Sequence, residues 1–366
     1  MTRDEAGMSP RSFRDRDFIE TLDGLFFTVV GNMHPPGKVI SYLKYVPDPS
    51  SKDTPWRRGE VAYRRVLPCY GAERVRIVVR DILEKKHPEY LVDDPVLGIR
   101  TIEVPVGDVK VHYKPEKRLE EIVREPKDKL EQLVAELVEC ICKRAGVSIK
   151  QVGVTGSILL GIHNIHVSDI DLTVYGLRAS MLVKKTLENL LASEEEGFER
   201  LKGDLLKKYA YETTRAYALS IDEAYKLYSE VWGRAVYKGK FFSVHPVLTE
   251  EEVPEKYGDR VYRSVCMVKA ECTVEDARYA MFMPAIYRVS NVRILEGSVS
   301  QVDVREIASY ESVYADIASE GEKILVHGKL EEVTDRVRGE KYHRIVVGSF
   351  EARGKDYIKP ERWYKR

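Results

Sequence analysis

The apolar positions along the chain fall into three regimes. From residue 17 to about 118 they come in short runs rich in β-branched and aromatic side chains, which is the pattern of strands. Leu25–Val30 and Val39–Val46 flank the turn-forming stretch Gly31-Asn-Met-His-Pro-Pro-Gly37, so two strands joined by a long loop are predicted. Val75–Lys85 predicts a short helix. Thr101–Val106 and Val109–Tyr113 surround Gly107-Asp108, a turn pair that predicts a hairpin.

The period changes near Lys114. Leu130, Leu133, Val134, Leu137, Val138 and Ile141 recur at helical spacing, with Pro126 ahead of them and Gly146 just behind. A strand over Gln151–Val154, the turn Thr155-Gly156-Ser157, a short apolar helix to about Gly161 and a strand over Asp169–Val174 follow. Residues 178–192 and 220–232 predict helices, and Lys240–Val247 a strand. From about 250 short strands return, at Val261–Ala270, Arg288–Leu295, Lys323–Leu330 and Tyr342–Ser349, as in a small barrel or sandwich. The expected fold class is α+β. A β-rich domain spans 1–118, a mixed core 119–250, and a β-rich, barrel-like domain 251–366.

Composition narrows the setting. The 366 residues carry 59 basic and 59 acidic side chains, which cancel, and charged residues make up 32% of the chain. Only four Asn and three Gln occur, and much charge with few thermolabile amides is the balance of a hyperthermophile's protein. The start of the chain is polar, without the apolar segment of a signal peptide, and no apolar run is long enough to span a bilayer; a cytoplasmic protein is expected. Five cysteines make no disulfide framework, and neither Cys140/Cys142 nor Cys266/Cys272 has the second pair that a zinc site needs.

The candidate chemistry sits in Gly153-Val-Thr-Gly-Ser157 and Ser168-Asp-Ile-Asp-Leu172. A glycine at a strand end lets the backbone approach a ligand, and the first amides of the following helix suit a phosphate. The Ser157 hydroxyl adds a donor, but no Gly-Lys-Ser/Thr follows, so this is not a P-loop. Asp169 and Asp171, two apart on a strand, project to one face while Ile170 and Leu172 pack inward. Two adjacent carboxylates call for cations, and a pair of Mg²⁺ ions roughly 3.5–4 Å apart would neutralise them. The bland alternatives are an ordinary capped turn and a solvated strand end. The apolar flanks of the pair favour the chemical reading.

This arrangement resembles the DNA polymerase β-type nucleotidyltransferase superfamily, in which Gly-Ser, a spacer and Asp-x-Asp are framed by strand, helix and strand. The wider chain is similar to an archaeal group of predicted nucleotidyltransferases, through Val111-His-Tyr-Lys-Pro-Glu116, Gly153–Gly176 and Tyr257-Gly-Asp259. The resemblance implies a polymerase β-like core, Gly156 and Ser157 on the nucleotide phosphates, and Asp169 and Asp171 as catalytic ligands of Mg²⁺ or Mn²⁺. It also implies transfer of a nucleoside monophosphate from an NTP such as ATP to an acceptor hydroxyl, with an RNA end among the acceptors. The superfamily usually adds a third carboxylate on a neighbouring strand. Phe241–Val247, the natural candidate, has none, and offers Ser243 and His245 instead. Imidazole suits Mn²⁺ better than Mg²⁺. The alternative function is therefore a nucleotide- or RNA-binding module whose catalysis is weakened or lost; nucleotidylation of a protein is a third.

Other residues have structural readings. His163 and His166 shape a loop, and Arg178, Lys184 and Lys185 read as charged helix surface. Asp335–Arg366 holds ten Lys/Arg against five acids, interleaved with Tyr342, Tyr357, Trp363 and Tyr364. That suits single-stranded nucleic acid about as well as it suits a solvated tail.

Overall fold

Strand-forming residues dominate the first third of the chain, as their spacing predicts. The computed structural model describes residues 11–51, 53–66 and 82–364. The first sheet contains β1 (Phe18–Thr21), β2 (Phe26–Val29), β3 (Lys38–Pro47), β4 (Arg57–Arg58), β5 (Val61–Arg65), β6 (Leu91–Asp94), β7 (Ile99–Pro105) and β8 (Val109–Tyr113). Its order is β4-β5-β3-β2-β1-β8, with β7 joined to β3 and β6 to β7. The expected β2–β3 pairing forms. The hairpin expected around Gly107-Asp108 does not: β7 pairs with β3 and β6, whereas β8 pairs with β1. Val106–Asp108 is a 3₁₀ turn that carries the chain between them, and the Leu22 amide donates to the Asp108 carbonyl (3.0 Å). Long-range pairing has overridden the local turn signal. Of the helix expected over Val75–Lys85, residues 75–81 lie outside the described residues; Glu84–Lys86 forms one helical turn.

The middle of the chain mixes helices with a second sheet. α1 (Pro115–Arg124) and α2 (Lys129–Ala145) precede β9 (Val152–Thr155), α3 (Gly156–Leu159) and β10 (Ile170–Tyr175). Then come α4 (Leu177–Ser193), β11 (Phe198–Glu199), α5 (Gly203–Ala216), α6 (Ile221–Glu230), β12 (Arg234–Tyr237) and β13 (Lys240–Val247). The sheet order is β11-β12-β13-β10-β9, with β10 and β13 parallel and the other neighbours antiparallel. α2 starts where the Asp128 carboxylate accepts the amides of Leu130 and Glu131, and stops where Gly146 turns left-handed (φ 65°). Its apolar stripe packs with Val152, Val154, Leu172 and Val174 in the central core.

The last third is a barrel. β14 (Arg260–Asp276), β15 (Ala285–Glu296), β16 (Val304–Ser309), β17 (Lys323–Asp335) and β18 (Glu340–Val347) pair in the order β14-β15-β16-β18-β17, and β17 returns to β14. β16 and β18 are parallel and the other pairs antiparallel. Five strands closed in this order, with that one parallel pair, have the topology of an OB barrel. β19 (Tyr357–Pro360) extends β17.

Polar seams join the three parts. Tyr257 donates to Asp94 (2.7 Å), Trp232 to Asp316 (2.6 Å), and Lys184 pairs with Asp316 (2.7 Å). Arg11 bridges Asp17 and Glu116, which also takes a bond from Tyr175 (3.0 Å). The α+β class follows from these elements. No helix among the described residues is long and apolar enough to cross a membrane.

Candidate active site

Antiparallel pairing of β9 with β10 sets Thr155 opposite Asp171, so the turn after β9 folds over the aspartate pair. Gly156 sits in the left-handed region (φ 69°), and a Cβ there would lie 2.5 Å from Asp171 Oδ2. Both facts demand glycine. Ser157 donates to Ser168 Oγ (3.2 Å), which also accepts the Asn164 amide (3.0 Å). The loop leading into the pair is thereby tied to the turn. Asp169 and Asp171, with Gly156 and Ser157, line one cavity of about 1410 Å³ to which all three sheets contribute.

The parallel neighbour strand β13 sets Ser243 opposite Asp171 and His245 opposite Thr173. Ser243 donates to Asp171 Oδ1 (2.5 Å), and its Oγ lies 2.8 Å from His245 Nε2. A hydroxyl has one proton, and Asp171 takes it. His245 must therefore carry its proton on Nε2 and donate to Ser243. Burial, reinforced by the charge of Arg16, lowers the His245 pKa to about 4, which keeps the ring neutral. No carboxylate occupies either of these two positions on β13.

The two aspartates differ electrostatically. Burial and then the neighbouring charge of Asp171 push Asp169 up to about 6, against Lys240, Lys208 and Arg65. Burial also disfavours the charged form of Asp171, but His245, Lys44 and Ser243 hold it below the ordinary carboxylate range. The donor set fits a hard divalent cation: two carboxylates on one wall, one of them open to the cavity, beneath a turn that a Cβ would fill.

Opposite this pair the first sheet presents cations, which sequence reasoning missed. Lys44 on β3 is 7% exposed and lies over the Phe18 ring (5.3 Å). Its signal was a lysine inside the apolar run Tyr42-Leu-Lys-Tyr-Val46. In the first sheet and the core, the lining residues include Arg16, Lys44, Arg65, Arg100, Lys208 and Arg234. Against these six stand three acids besides the aspartate pair, Asp15, Glu84 and Glu212. α5, also unforeseen, adds Tyr209, which stacks on Phe241 (4.6 Å) at the cavity wall.

The other singled-out residues serve structure. His163 bonds Asp128 (2.8 Å), and the His166 amide donates to Asn164. Asp128, Glu131 and His163 bring ligand atoms within 4.8 Å of one another. Asp128 is spent capping α2, however, and Glu131 on Arg118 and the Lys127 amide, so this is a clasp between α1, α2 and the loop. Lys184 is engaged by Asp316. Val111–Glu116 forms a seam: His112 meets Asp17 (2.7 Å), Tyr113 donates to Glu20 (2.6 Å), and Pro115 packs against Gly153. Much of the basic excess of Asp335–Arg366 is neutralised from outside that stretch, as Lys341, Arg344, Lys359 and Arg362 pair with Glu332, Glu331, Glu223 and Glu230.

Among known proteins, an uncharacterized protein of Methanocaldococcus jannaschii is 31% identical over 355 residues, covering 95% of this chain and 99% of the relative. No protein-family model matches the chain. No solved structure matches it.

Proposed function

Because the chain belongs to the family of this uncharacterized Methanocaldococcus jannaschii protein, whose name gives no activity, we propose a function from the site itself. The protein is a polymerase β-type, metal-dependent nucleotidyltransferase that moves a nucleoside monophosphate from an NTP to an acceptor hydroxyl. The observation that carries the reading is the aspartate pair beneath the Gly156 turn, facing a wall of cations across one cavity.

Asp169 and Asp171 would hold a divalent cation, which would supply neutralisation of phosphate oxygens and a more acidic acceptor hydroxyl. Gly156 gives the triphosphate room against Asp171, and Ser157 contributes its hydroxyl. Lys44, Arg65 and Lys208 offset the remaining phosphate charge. Tyr209, backed by Phe241, offers a face on which a base stacks. The acceptor oxygen bonds to the α-phosphorus as the bond to the bridging oxygen breaks. Pyrophosphate leaves, and the hydroxyl proton passes to solvent. The neutral His245–Ser243 pair orients Asp171 through its Oδ1.

Replacing both aspartates (Asp169→Ala with Asp171→Ala) abolishes transfer of α-phosphate label from NTP while leaving the melting curve cooperative. Undiminished transfer by the double variant sinks the assignment. Ser243 opposite Asp171 supports a second reading, a nucleotide-binding module without turnover. Calorimetry with NTP and Mg²⁺ or Mn²⁺, run beside the transfer assay, separates the two: the module binds and never releases pyrophosphate.

A further inference from the structure

The cavity is larger than one nucleotide needs. Small-molecule sites typically measure roughly 300–1,000 Å³, and this one is about 1410 Å³. Its far wall comes from the outer face of the barrel and differs in charge from the nucleotide side. There the charged lining residues are three cations, Lys329, Arg344 and Arg353, and three acids, Glu311, Glu331 and Glu351. The barrel's own side chains are balanced, with Arg234 of the core reaching this wall at Ser312 (3.4 Å), whereas the half around Gly156 keeps a cationic excess once the aspartate pair is set aside.

The balanced wall is also built. Lys329 and Glu331 are each 2% exposed although they lie on the opposite face of β17 from the barrel-core residue Leu330. Glu331 Oε1 takes Lys329 (2.9 Å) and its Oε2 takes Arg344 (2.9 Å), while Lys329 reaches Glu351 (3.4 Å). Arg344 in turn lies 3.5 Å over the Tyr262 ring. Burying such a network is costly compared with apolar side chains of the same volume. The sequence nonetheless places it on the wall of a cavity rather than in a closed core.

We propose that this wall binds the acceptor, and that the acceptor is an uncharged, hydroxyl-rich molecule, a sugar or polyol. The inference rests on the nucleotidyltransferase reading. Vicinal hydroxyls each donate and accept, and alternating ammonium, guanidinium and carboxylate groups satisfy both roles at once. A polyanion would meet Glu311, Glu331 and Glu351, which the barrel's own three cations only balance. A nucleic acid would favour a basic groove with exposed stacking faces. On the outer barrel surface, Arg293 and Arg305 are instead paired with Glu271 and with Asp303 and Glu340. In the step itself, one hydroxyl oxygen of the polyol displaces pyrophosphate from the α-phosphorus and its proton goes to solvent.

The test has two arms on the full chain. Calorimetry with Mg-ATP comes first, on the wild type and on the Asp169→Ala, Asp171→Ala variant; loss of binding in the variant stands for the nucleotide site, and no binding by the wild type overturns that reading separately. The second arm follows α-phosphate label from each NTP onto ribose, glucose, sorbitol and myo-inositol, beside glucose 6-phosphate and an RNA oligomer with a free 3′ hydroxyl. Label on an unphosphorylated polyol is expected. Glu351→Ala, at a side chain that is 48% exposed, should raise the KM for that polyol about tenfold, which is the loss of one charged hydrogen bond, and leave the Mg-ATP Kd within about twofold. Preferential labelling of the RNA or of the sugar phosphate overturns the proposal. So does a protein that binds Mg-ATP and labels none of the four polyols, or a Glu351→Ala variant that weakens Mg-ATP as much as polyol.

Discussion

At the scale of the residue, Gly156 shows how much chemistry one missing side chain can carry. Its left-handed backbone and its approach to Asp171 Oδ2 are separate constraints. Gly161 shares the first (φ 64°) but has nothing within 4 Å of an added Cβ. Gly161→Ala should therefore cost about 1 kcal/mol of stability through strain alone and leave nucleotide affinity intact. Gly156→Ala should cost at least as much and also displace Asp171, weakening Mg-ATP by more than about tenfold. Melting curves and calorimetry on the pair decide it; equal affinities would remove Gly156 from the site. His34 makes a different point. Its Nδ1 accepts the Ile40 amide (3.2 Å) and its Nε2 faces the Phe13 carbonyl (3.3 Å), so the ring must be neutral. Burial lowers its pKa to about 4. Between pH 6.5 and 4 the unfolded chain takes a proton that the native ring refuses. Stability is thus full above pH 6.5 and falls as the pH drops, by on the order of 3 kcal/mol at pH 4. In denaturant titrations at pH 7 and pH 4.5, His34→Gln should flatten that dependence relative to the wild type; parallel curves would show that His34 is not its source.

At the scale of the element, legibility tracked how local the cause was. α2 was readable because its stripe, cap and terminal glycine all lie within one stretch of sequence, and the strand–turn–strand around Gly156 was readable because glycine and paired aspartates are unusual together. The turn at Gly107-Asp108 misled because partners distant in sequence outbid a two-residue signal. α5 was missed because its buried positions, such as Ala210 and Thr213, are only weakly apolar, and its function shows only when Lys208 and Tyr209 reach the cavity. The cation wall could not be assembled without the fold, since it joins β3 and β5 to β10, although Lys44 stands out as a lysine inside an apolar run. That wall is testable through Lys44, whose charge acts on Asp171. Lys44→Met keeps the buried stem and removes the charge. It should weaken Mg-ATP by about tenfold or more, the loss of one charge facing the triphosphate. Unchanged affinity would show that the first sheet does not touch the triphosphate.

At the scale of the molecule, the site exists only because three sheets are held together, by apolar clusters such as Phe18, Phe26, Leu159 and Ile162 and by ion pairs across the seams. Zero net charge reflects many pairs rather than little charge: Arg11, Asp17, His112 and Glu116 knit the first sheet to the core within one network. Asp17 is fully buried there, and although burial opposes ionisation, Arg11 and His112 hold its carboxyl below the ordinary range. Removing that charge leaves Arg11 paired with Glu116 alone and sets a neutral amide against Arg11 and His112. Asp17→Asn should therefore cost about 2–3 kcal/mol, less than breaking an isolated buried pair because Glu116 still compensates Arg11. The same seam positions the chemistry, since Thr155, the residue before Gly156, donates to the Arg16 carbonyl (2.7 Å) next to Asp17. A loosened seam should let the turn drift from Asp171, so Asp17→Asn should also weaken Mg-ATP even though Asp17 does not line the cavity. Measured at a temperature where the variant is fully folded, lower affinity together with a lower melting point supports this coupling. A lower melting point with wild-type affinity would mean that the core holds its own turn, and that the first sheet contributes charge to the site without positioning it.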